Sequence, residues 1–462
     1  MPTTASHGVS SVQGMGFTVL TAFVFMIFSR IFDMHFSSLH IPGISERIMT
    51  VVLILSGTFL RPFQTVIGKR LLAFTVWMVL GVPFSVWRSN SLIFLATQWW
   101  ACLVVFVAVA GLIENFQQYR RIAWTVAISL FVLSLFCMHY GSMETGRLFM
   151  ANRSRFSNPN EMAQAMLIGI PFWLAISKRA SSPIRTLLAA SVVLVMMYII
   201  AKTGSRGALI SFAVLYLVVL HHASIIGKAA LLLLASLSLC AALAFLPSTL
   251  KDRYRTLFSE DKPEIEEVGE DTLLGSAVTS TASREQLLRQ SLILTATHPI
   301  FGVGVGQFPV AENTLAISQG KRRGSWLGTH NAYTQLTSET GLPGMFLFVS
   351  VLFLSLKLTR SLYNATKDHA ELTEISTHAE ALFLALICLA ITNVFIHAAY
   401  TMLLPVLAGM SISLEYTARP LLAQAHRRKA IVPASTVRQR FAGRIPSETA
   451  RLSPRTQITA SS

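Results

Sequence analysis

Long apolar blocks recur along almost the whole chain and constrain its fold more than any other feature. Residues 91–113 and 229–246 approach the ~20 consecutive apolar residues that a helix needs to cross a bilayer. Hydrophobic residues make up 53% of the chain and charged residues 13%, whereas a soluble domain carries about 25% charged residues. The sequence therefore predicts an all-α, polytopic integral membrane protein.

About twelve transmembrane helices are expected, nine before a long hydrophilic connection and three after it. The expected spans are approximately 15–32, 48–60, 71–87, 91–113, 121–138, 160–176, 184–201, 205–221, 229–246, 342–356, 379–397 and 401–416. All four cysteines fall inside these apolar spans without metal-ligand spacing, which favours small core residues over a metal site.

Basic residues in the connections predict the orientation of the chain. With the N-terminus in the cytoplasm, the short cytoplasmic connections hold 12 Lys and Arg and the tail a further 9, against 7 in the short outside connections. This distribution follows the positive-inside rule. The formal net charge of +16 therefore indicates a basic surface beside anionic lipid rather than nucleic-acid binding. The expected segments are a cytoplasmic N-terminus (1–14), helices one to nine (15–246), an extracytoplasmic loop (247–341), helices ten to twelve (342–418) and a basic cytoplasmic tail (419–462).

A short polar turn within "AKTGSRGALISF" joins two apolar spans and places Arg206 in the first turn of the second one. Ionisable residues at membrane depth are costly and are functional candidates. The backbone of Gly204 and Ser205, together with the helix N-terminus, is expected to point donors toward the same place as the guanidinium, which suits a phosphate. The alternative is an arginine that only extends to the interface.

The segment "ASREQLLRQSLILTATHPIFGVGVGQF" carries a helix-start pattern. Ser283 and Gln286 form a capping box, which puts Arg284 at the first helical position. A cation there is unfavourable unless it binds an anion together with the exposed backbone amides. An ordinary solvated arginine is the alternative. The following "GVGVG" lacks the Lys-Ser/Thr of a phosphate-binding loop and favours a tight turn.

His330 begins the stretch "THNAYTQLTSETGLPG" just before an apolar span. At 100° per residue, Thr334 and Thr337 share its face, which predicts a short amphipathic helix that ends at Gly341 and Pro343. A lone histidine is usually structural. Its predicted position on the same side of the membrane as the two arginines favours a functional role.

At these residues the sequence resembles the O-antigen ligase and O-antigen polymerase-like superfamily of bacterial membrane glycan transferases. The resemblance rests on "KTGSRGALI" (202–210), "SREQLLRQSLILTATHPIFGVGVGQF" (283–308), "THNAYTQLTSETGLPG" (329–344) and, more weakly, "RFSNPNEMAQAM" (155–166). It covers roughly residues 140–400. It implies a GT-C-like fold in the inner membrane with its active site facing the periplasm, and hence a large periplasmic loop at 247–341 that is partly helical.

The resemblance also implies the chemistry. Members transfer a glycan from undecaprenyl diphosphate to an acceptor, which is lipid A core for ligases, without ATP or a metal. Arg206 and Arg284 would hold the diphosphate and His330 would assist the acceptor hydroxyl; Glu339 is a less favoured base. The expected partners are the lipid-linked glycan donor, lipid A core or a growing glycan, and membrane lipids, with no cofactor and no nucleic acid. Further contacts expected with the substrates are Arg155, Lys202, Ser205, Arg289 and Asn331.

Two other functions remain open at the level of sequence. A polymerase that joins repeat units of O-antigen or exopolysaccharide has overlapping motifs. A transporter or lipid flippase also suits twelve spans, but transport favours internal repeats and sites near the bilayer midplane. Here the candidate charges lie on one side, which favours the enzyme.

Overall fold

A computed structural model describes the chain over 4–32, 41–144, 146–150, 156, 158–178, 182–222 and 273–431, with a few single residues between 225 and 236. Most of the predicted span 229–246 and the predicted contact Arg155 lie outside the described residues. The chain divides into two compact units, 1–418 and 419–462.

The described chain is predominantly α-helical, as predicted. Its helices are α1 (Thr4–Ser29), α2 (Ile41–Ser56), α3 (Val66–Gly81), α4 (Arg88–Phe94), α5 (Trp100–Leu112), α6 (Phe116–Tyr140), α7 (Pro159–Lys178), α8 (Pro183–Lys202), α9 (Arg206–His222), α10 (Leu273–Thr297), α11 (Phe308–Ser318), α12 (Ala332–Thr366), α13 (Thr373–Thr392) and α14 (Leu403–Ile431). A π-helical turn, Leu95–Trp99, joins α4 to α5, and 3-10 turns lie at Arg61–Gln64, Val82–Phe84 and Ala370–Leu372.

Six helical stretches in the described part of the chain are long and apolar enough to cross a membrane. Two shorter apolar helices, Gly14–Ser29 and Arg206–His221, accompany them. The chain is therefore a multi-pass α-helical membrane protein. The six are Val66–Phe84, Arg88–Leu112, Phe116–Tyr140, Pro183–Lys202, Ala332–Thr366 and Ala370–Thr392.

A two-stranded hairpin interrupts the helical pattern between α6 and α7. Strands β1 (Gly141–Glu144) and β2 (Arg147–Met150) pair antiparallel with Gly141 opposite Met150. The all-α prediction did not include it, because four-residue strands beside long apolar helices leave little signal in hydropathy. The hairpin fixes the position of Arg147, which becomes important at the site.

The core contains large apolar and aromatic side chains. The two salt bridges named below are partly exposed to solvent. The rings of Trp99 and Phe348 each meet Phe74 edge-on, with centroids 5.3 and 5.7 Å away. Two salt bridges join the beginning of α13 to neighbouring helices. They are Arg120–Glu374 at 3.3 Å and Lys178–Glu380 at 2.7 Å.

The described cysteines agree with the sequence prediction. Cys102, Cys137 and Cys388 are buried inside the helical bundle. They therefore contribute to the core as small apolar groups. Cys240 lies outside the described residues.

Candidate functional site

Arg206 occupies the position that the sequence predicts, at the first residue of α9. Gly204 adopts a left-handed backbone (φ 60°), and the Ser205 hydroxyl accepts from the Ala208 amide at 3.4 Å, capping the helix. The predicted backbone donors are used differently. The Gly204 amide donates to the Ala201 carbonyl and the Ser205 amide to the Thr203 hydroxyl. These two amides therefore bond within the turn, and Arg206 stays a predicted anion contact.

A third arginine, Arg147, binds the turn between α8 and α9. The sequence analysis did not single it out as a site residue. Arg147 of β2 donates from Nε to the Thr203 carbonyl at 2.9 Å and from a terminal nitrogen to the Asn160 side chain at 2.9 Å. Thr203 is fully buried. The hydrogen bond from Arg147 to its carbonyl therefore holds the turn before Arg206 in place. Arg147 thus links the hairpin, α7 and the α8–α9 turn.

Arg284 lies near Arg206, but its local setting differs from the prediction. Helix α10 begins at Leu273, so Ser283 is inside the helix and no capping box starts there. The expected N-terminal anion site at Arg284 is therefore wrong, because about three turns of helix precede it. The side chain is half-buried and its Nε is buried without a hydrogen-bond partner in the described structure. Burial, and then the charge of Arg206, lower the pKa of Arg284.

His330 precedes its helix instead of lying on it. Asn331 is the N-cap of α12, its side chain accepting from the amides of Tyr333 at 2.9 Å and Thr334 at 3.2 Å. His330 has a left-handed backbone with φ 52°, so the predicted common helical face with Thr334 and Thr337 is wrong. The cap explains the error, since a helix cannot extend back through its own N-cap.

Positive groups from several elements converge on His330. Burial, followed by the charges of His397, Arg284 and Arg147, lowers the pKa of His330 to about 4. A positively charged neighbour and a dry environment both disfavour the imidazolium form. His330 is therefore a neutral imidazole at pH 7, with the two arginines close enough to act on its charge.

Sequence motifs did not identify His397. It lies between α13 and α14, and its ring meets the His330 ring edge-on at 5.3 Å and 78°. Burial lowers its pKa, and its Nδ1 has no hydrogen-bond partner in the described residues. The available signal was an ionisable residue at the end of the predicted apolar span 379–397, within "ITNVFIHAAYTM".

The remaining predicted contacts occupy varied surroundings. Lys202 ends α8 with its ammonium 5.1 Å from the Tyr198 ring centroid, and the Ser205 hydroxyl and Asn331 amide oxygen cap helices. Arg289 is exposed on α10, about 140° around the helix from Arg284 at 100° per residue. Within the described chain, no group of three or more His, Cys, Asp or Glu has a metal-binding arrangement.

The glycine-rich segment 302–306 is a tight turn, as expected, and Glu339 organises it. Gly302, Gly304 and Gly306 have positive φ values. The buried Glu339 carboxylate accepts from the amides of Gly306 and Phe308, both at 3.1 Å. This turn is bonded to α12, and the two amide bonds give Glu339 a structural role.

A comparison with known protein families concerns the stretch that contains Arg206, Arg284 and His330. Residues 189–349 match the O-antigen ligase family. The matched stretch contains Arg206, Arg284 and His330, and it confirms the resemblance to an O-antigen ligase or polymerase-like family; Arg147 and His397 lie outside it. No curated protein matches the chain significantly.

Proposed function

We propose that this protein transfers a glycan from undecaprenyl diphosphate to an acceptor at the periplasmic face of the inner membrane, ligating O-antigen to lipid A core. One observation carries the proposal. Within the O-antigen ligase-like stretch, Arg206 acts electrostatically on Arg284 and Arg284 acts on His330, across up to 124 positions in the sequence. Two fixed cations beside a neutral imidazole suit transfer from a diphosphate leaving group to a hydroxyl.

The arginines supply the donor side of the reaction. Cleavage of the sugar–diphosphate bond builds negative charge on the leaving oxygen, and guanidinium groups bind such oxygens through charge-assisted hydrogen bonds. The Nε of Arg284 is buried without a hydrogen-bond partner among the described residues, which leaves this donor unsatisfied. In this proposal the arginines stabilise the leaving group, and no metal or cofactor takes part.

His330 supplies the acceptor side by taking the proton of the attacking hydroxyl. A base with a pKa of about 4 is weak, because general bases act best with a pKa near the working pH. A bound diphosphate neutralises the arginine charges that oppose protonation, which raises the pKa of His330. The base therefore strengthens when the donor binds.

The wider architecture is part of the proposal. We propose about twelve spans in a GT-C-like arrangement, with a cytoplasmic N-terminus (1–14) and tail (419–462) and a periplasmic loop at 247–341. In this arrangement the transmembrane helices occupy 15–246 and 342–418. Arg155, Lys202, Ser205, Arg289 and Asn331 remain proposed contacts to the glycan or its carrier.

Transfer by the purified protein tests the proposal. The protein is supplied with undecaprenyl-diphosphate glycan and lipid A core, and wild type is compared with His330→Ala and Arg206→Ala. We expect each variant to lose about 10²-fold or more of kcat/KM. His298→Ala is the matched control, because His298 is exposed on the turn after α10. Equal transfer by all four proteins would exclude the assigned site.

A repeat-unit polymerase for O-antigen or exopolysaccharide is the second candidate, since the same donor chemistry serves a growing glycan acceptor and the matched family pattern does not separate the two. Deletion of the gene distinguishes them. Loss of all O-antigen from the core, with lipid-linked polymer accumulating, supports the ligase, whereas core capped by a single repeat supports the polymerase.

A transporter or flippase is a remote alternative that predicts substrate movement without bond formation.

A further inference from the structure

The connection that carries His397 is tied to the segment that carries His330. The Ala332 amide donates to the Asn393 carbonyl at 2.8 Å, and the Ala399 amide donates to the Gln335 side chain at 3.3 Å. These two bonds flank His397 on both sides in sequence. The start of α12 and the 393–402 connection therefore form one local unit.

Close packing fixes the two imidazoles within that unit. The rings meet edge-on at 5.3 Å. Gly328 lies against His397 so closely that a Cβ at position 328 would be 2.8 Å from the His397 Cγ. Such a distance leaves no room for any larger residue at that position, so the glycine permits the contact between the two segments.

The charged and titratable groups that face His330 come from three elements. Arg284 acts from α10, Arg147 from β2 and His397 from the 393–402 connection, and all three oppose a positive charge on His330. The arginines are permanently charged. His397 is the only titratable partner of the three, and its Nδ1 is buried without a hydrogen-bond partner in the described part of the chain.

We propose that His397 is a positioning residue for His330, which holds the His330 imidazole in place and opposes its protonation. The inference rests on the proposed function for its catalytic consequence. Its physical content is independent of that function. Two imidazoles in contact in a dry site compete for one proton, because a second proton would place like charges about 5 Å apart.

Titration of His330 by NMR tests this proposal without any glycan transfer. Histidine-labelled protein is prepared as wild type and as His397→Phe, and the His330 signal is assigned by its loss in His330→Gln. Phenylalanine keeps an aromatic edge against His330 but carries no charge. We expect the His330 midpoint to rise by about one pH unit in His397→Phe. An unchanged midpoint in a folded variant would overturn the proposal.

Two further variants make the outcome specific. His397→Gln also removes the titratable ring and is expected to raise the midpoint, so it serves if the phenylalanine variant fails to fold. His298→Phe changes an exposed histidine and should leave the midpoint unchanged. If glycan transfer is absent in every protein but the midpoint moves as expected, the proposed function fails and the role of His397 stands.

Discussion

At the residue scale, the site combines charges that water would normally screen. Arg284 is half-buried, its Nε has no hydrogen-bond partner in the part of the chain that the structure describes, and Arg206 lies near enough to lower its pKa. Like charges held together in a dry place cost free energy unless an anion joins them. The pair is therefore suited to an anionic ligand.

Replacement of the Arg284 guanidinium group tests this arrangement. Arg284→Lys keeps the charge but loses the planar donors that match a diphosphate, and Arg284→Gln loses both. We expect kcat/KM for glycan transfer to fall about 10-fold for lysine and about 10²- to 10³-fold for glutamine. Arg323→Gln, at an exposed position on the loop before α12, should remain within about twofold of wild type. A fully active Arg284→Gln enzyme would contradict the assignment.

The pH dependence of transfer tests the state of His330. The reactive form is neutral, so kcat/KM, which reports the free enzyme, is expected to hold as the pH falls and to decline only through about 4. The acid limb of kcat should lie at higher pH, because bound diphosphate raises the pKa of His330. The measurement is a pair of pH profiles. Coincident acid limbs for kcat and kcat/KM would argue against coupling between donor binding and the base.

Contacts between residues far apart in the sequence limit how many site residues the sequence can predict. Local patterns singled out Arg206, Arg284 and His330, although the helix start predicted at Arg284 and the helical face predicted for His330 were wrong. Arg147 was missed because it binds the Thr203 carbonyl, 56 positions away, and any residue type supplies a carbonyl. His397 was missed because its contact with His330 forms only when two connections fold together.

At the scale of elements, the break in α12 connects the site to the glycine turn. Gly341 has φ 72°, so helix formation stops there and resumes at Leu342. Carbonyls near a helix end need new partners. The amides of Val303 and Gly304 bond the Ser338 and Glu339 carbonyls at 2.8 and 3.1 Å. The predicted stop at Gly341 is confirmed, whereas its pairing with the glycine turn was not foreseen.

Alanine at Gly304 tests how tightly this turn packs. Gly304 has φ 105°, and a Cβ there would collide with the Ser85 hydroxyl. Gly320→Ala is the matched control, because Gly320 has φ 83° and no atom of the described residues lies within 4 Å of a Cβ there. Both variants strain the backbone, but only Gly304→Ala adds the collision. We expect it to lose about 1–3 kcal/mol more stability, measured by unfolding in detergent; equal losses would contradict the packing.

The Glu339 carboxylate provides a second test of the same element. It is buried and accepts two backbone amides through separate oxygens. Glu339→Gln replaces one acceptor oxygen by a donor, which leaves a buried amide unpaired and costs about 1–3 kcal/mol. Glu285→Gln, at an exposed position on α10, should change the unfolding temperature little. Equal unfolding temperatures for both variants would show that Glu339 does not hold the turn.

At the scale of the molecule, the candidate site and the salt bridges lie at different ends of α13. Glu374 and Glu380, in its first half, make the salt bridges, and Asn393, just after its last residue, binds the Ala332 amide beside His330. Hydropathy predicted most of the described spans. Hydropathy ended the predicted span 342–356 ten residues before the end of α12 at Thr366. A helix can extend past the bilayer into polar surroundings, so its end need not coincide with the end of the apolar stretch.

Cysteine labelling tests the orientation. The part of α12 from Leu342 to Thr366 is about 37 Å long at 1.5 Å per residue, which exceeds the ~30 Å hydrocarbon core. In a background with the four native cysteines replaced by alanine, an impermeant maleimide should label Ser318→Cys from the periplasm. Asp368→Cys should react only after the inner membrane is permeabilised. Both positions are exposed, so the opposite pattern would invert the topology.

The left-handed backbone at Trp326 and His330, with φ 56° and 52°, has a consequence for redesign of the loop. Non-glycine residues adopt this conformation only when the surroundings impose it. Here the buried Glu312 carboxylate holds the amides of Ser325 and Trp326. Insertions between 326 and 330 would relieve this backbone strain and displace the His330 imidazole, whereas the exposed stretch 319–323 offers a place to insert new sequence.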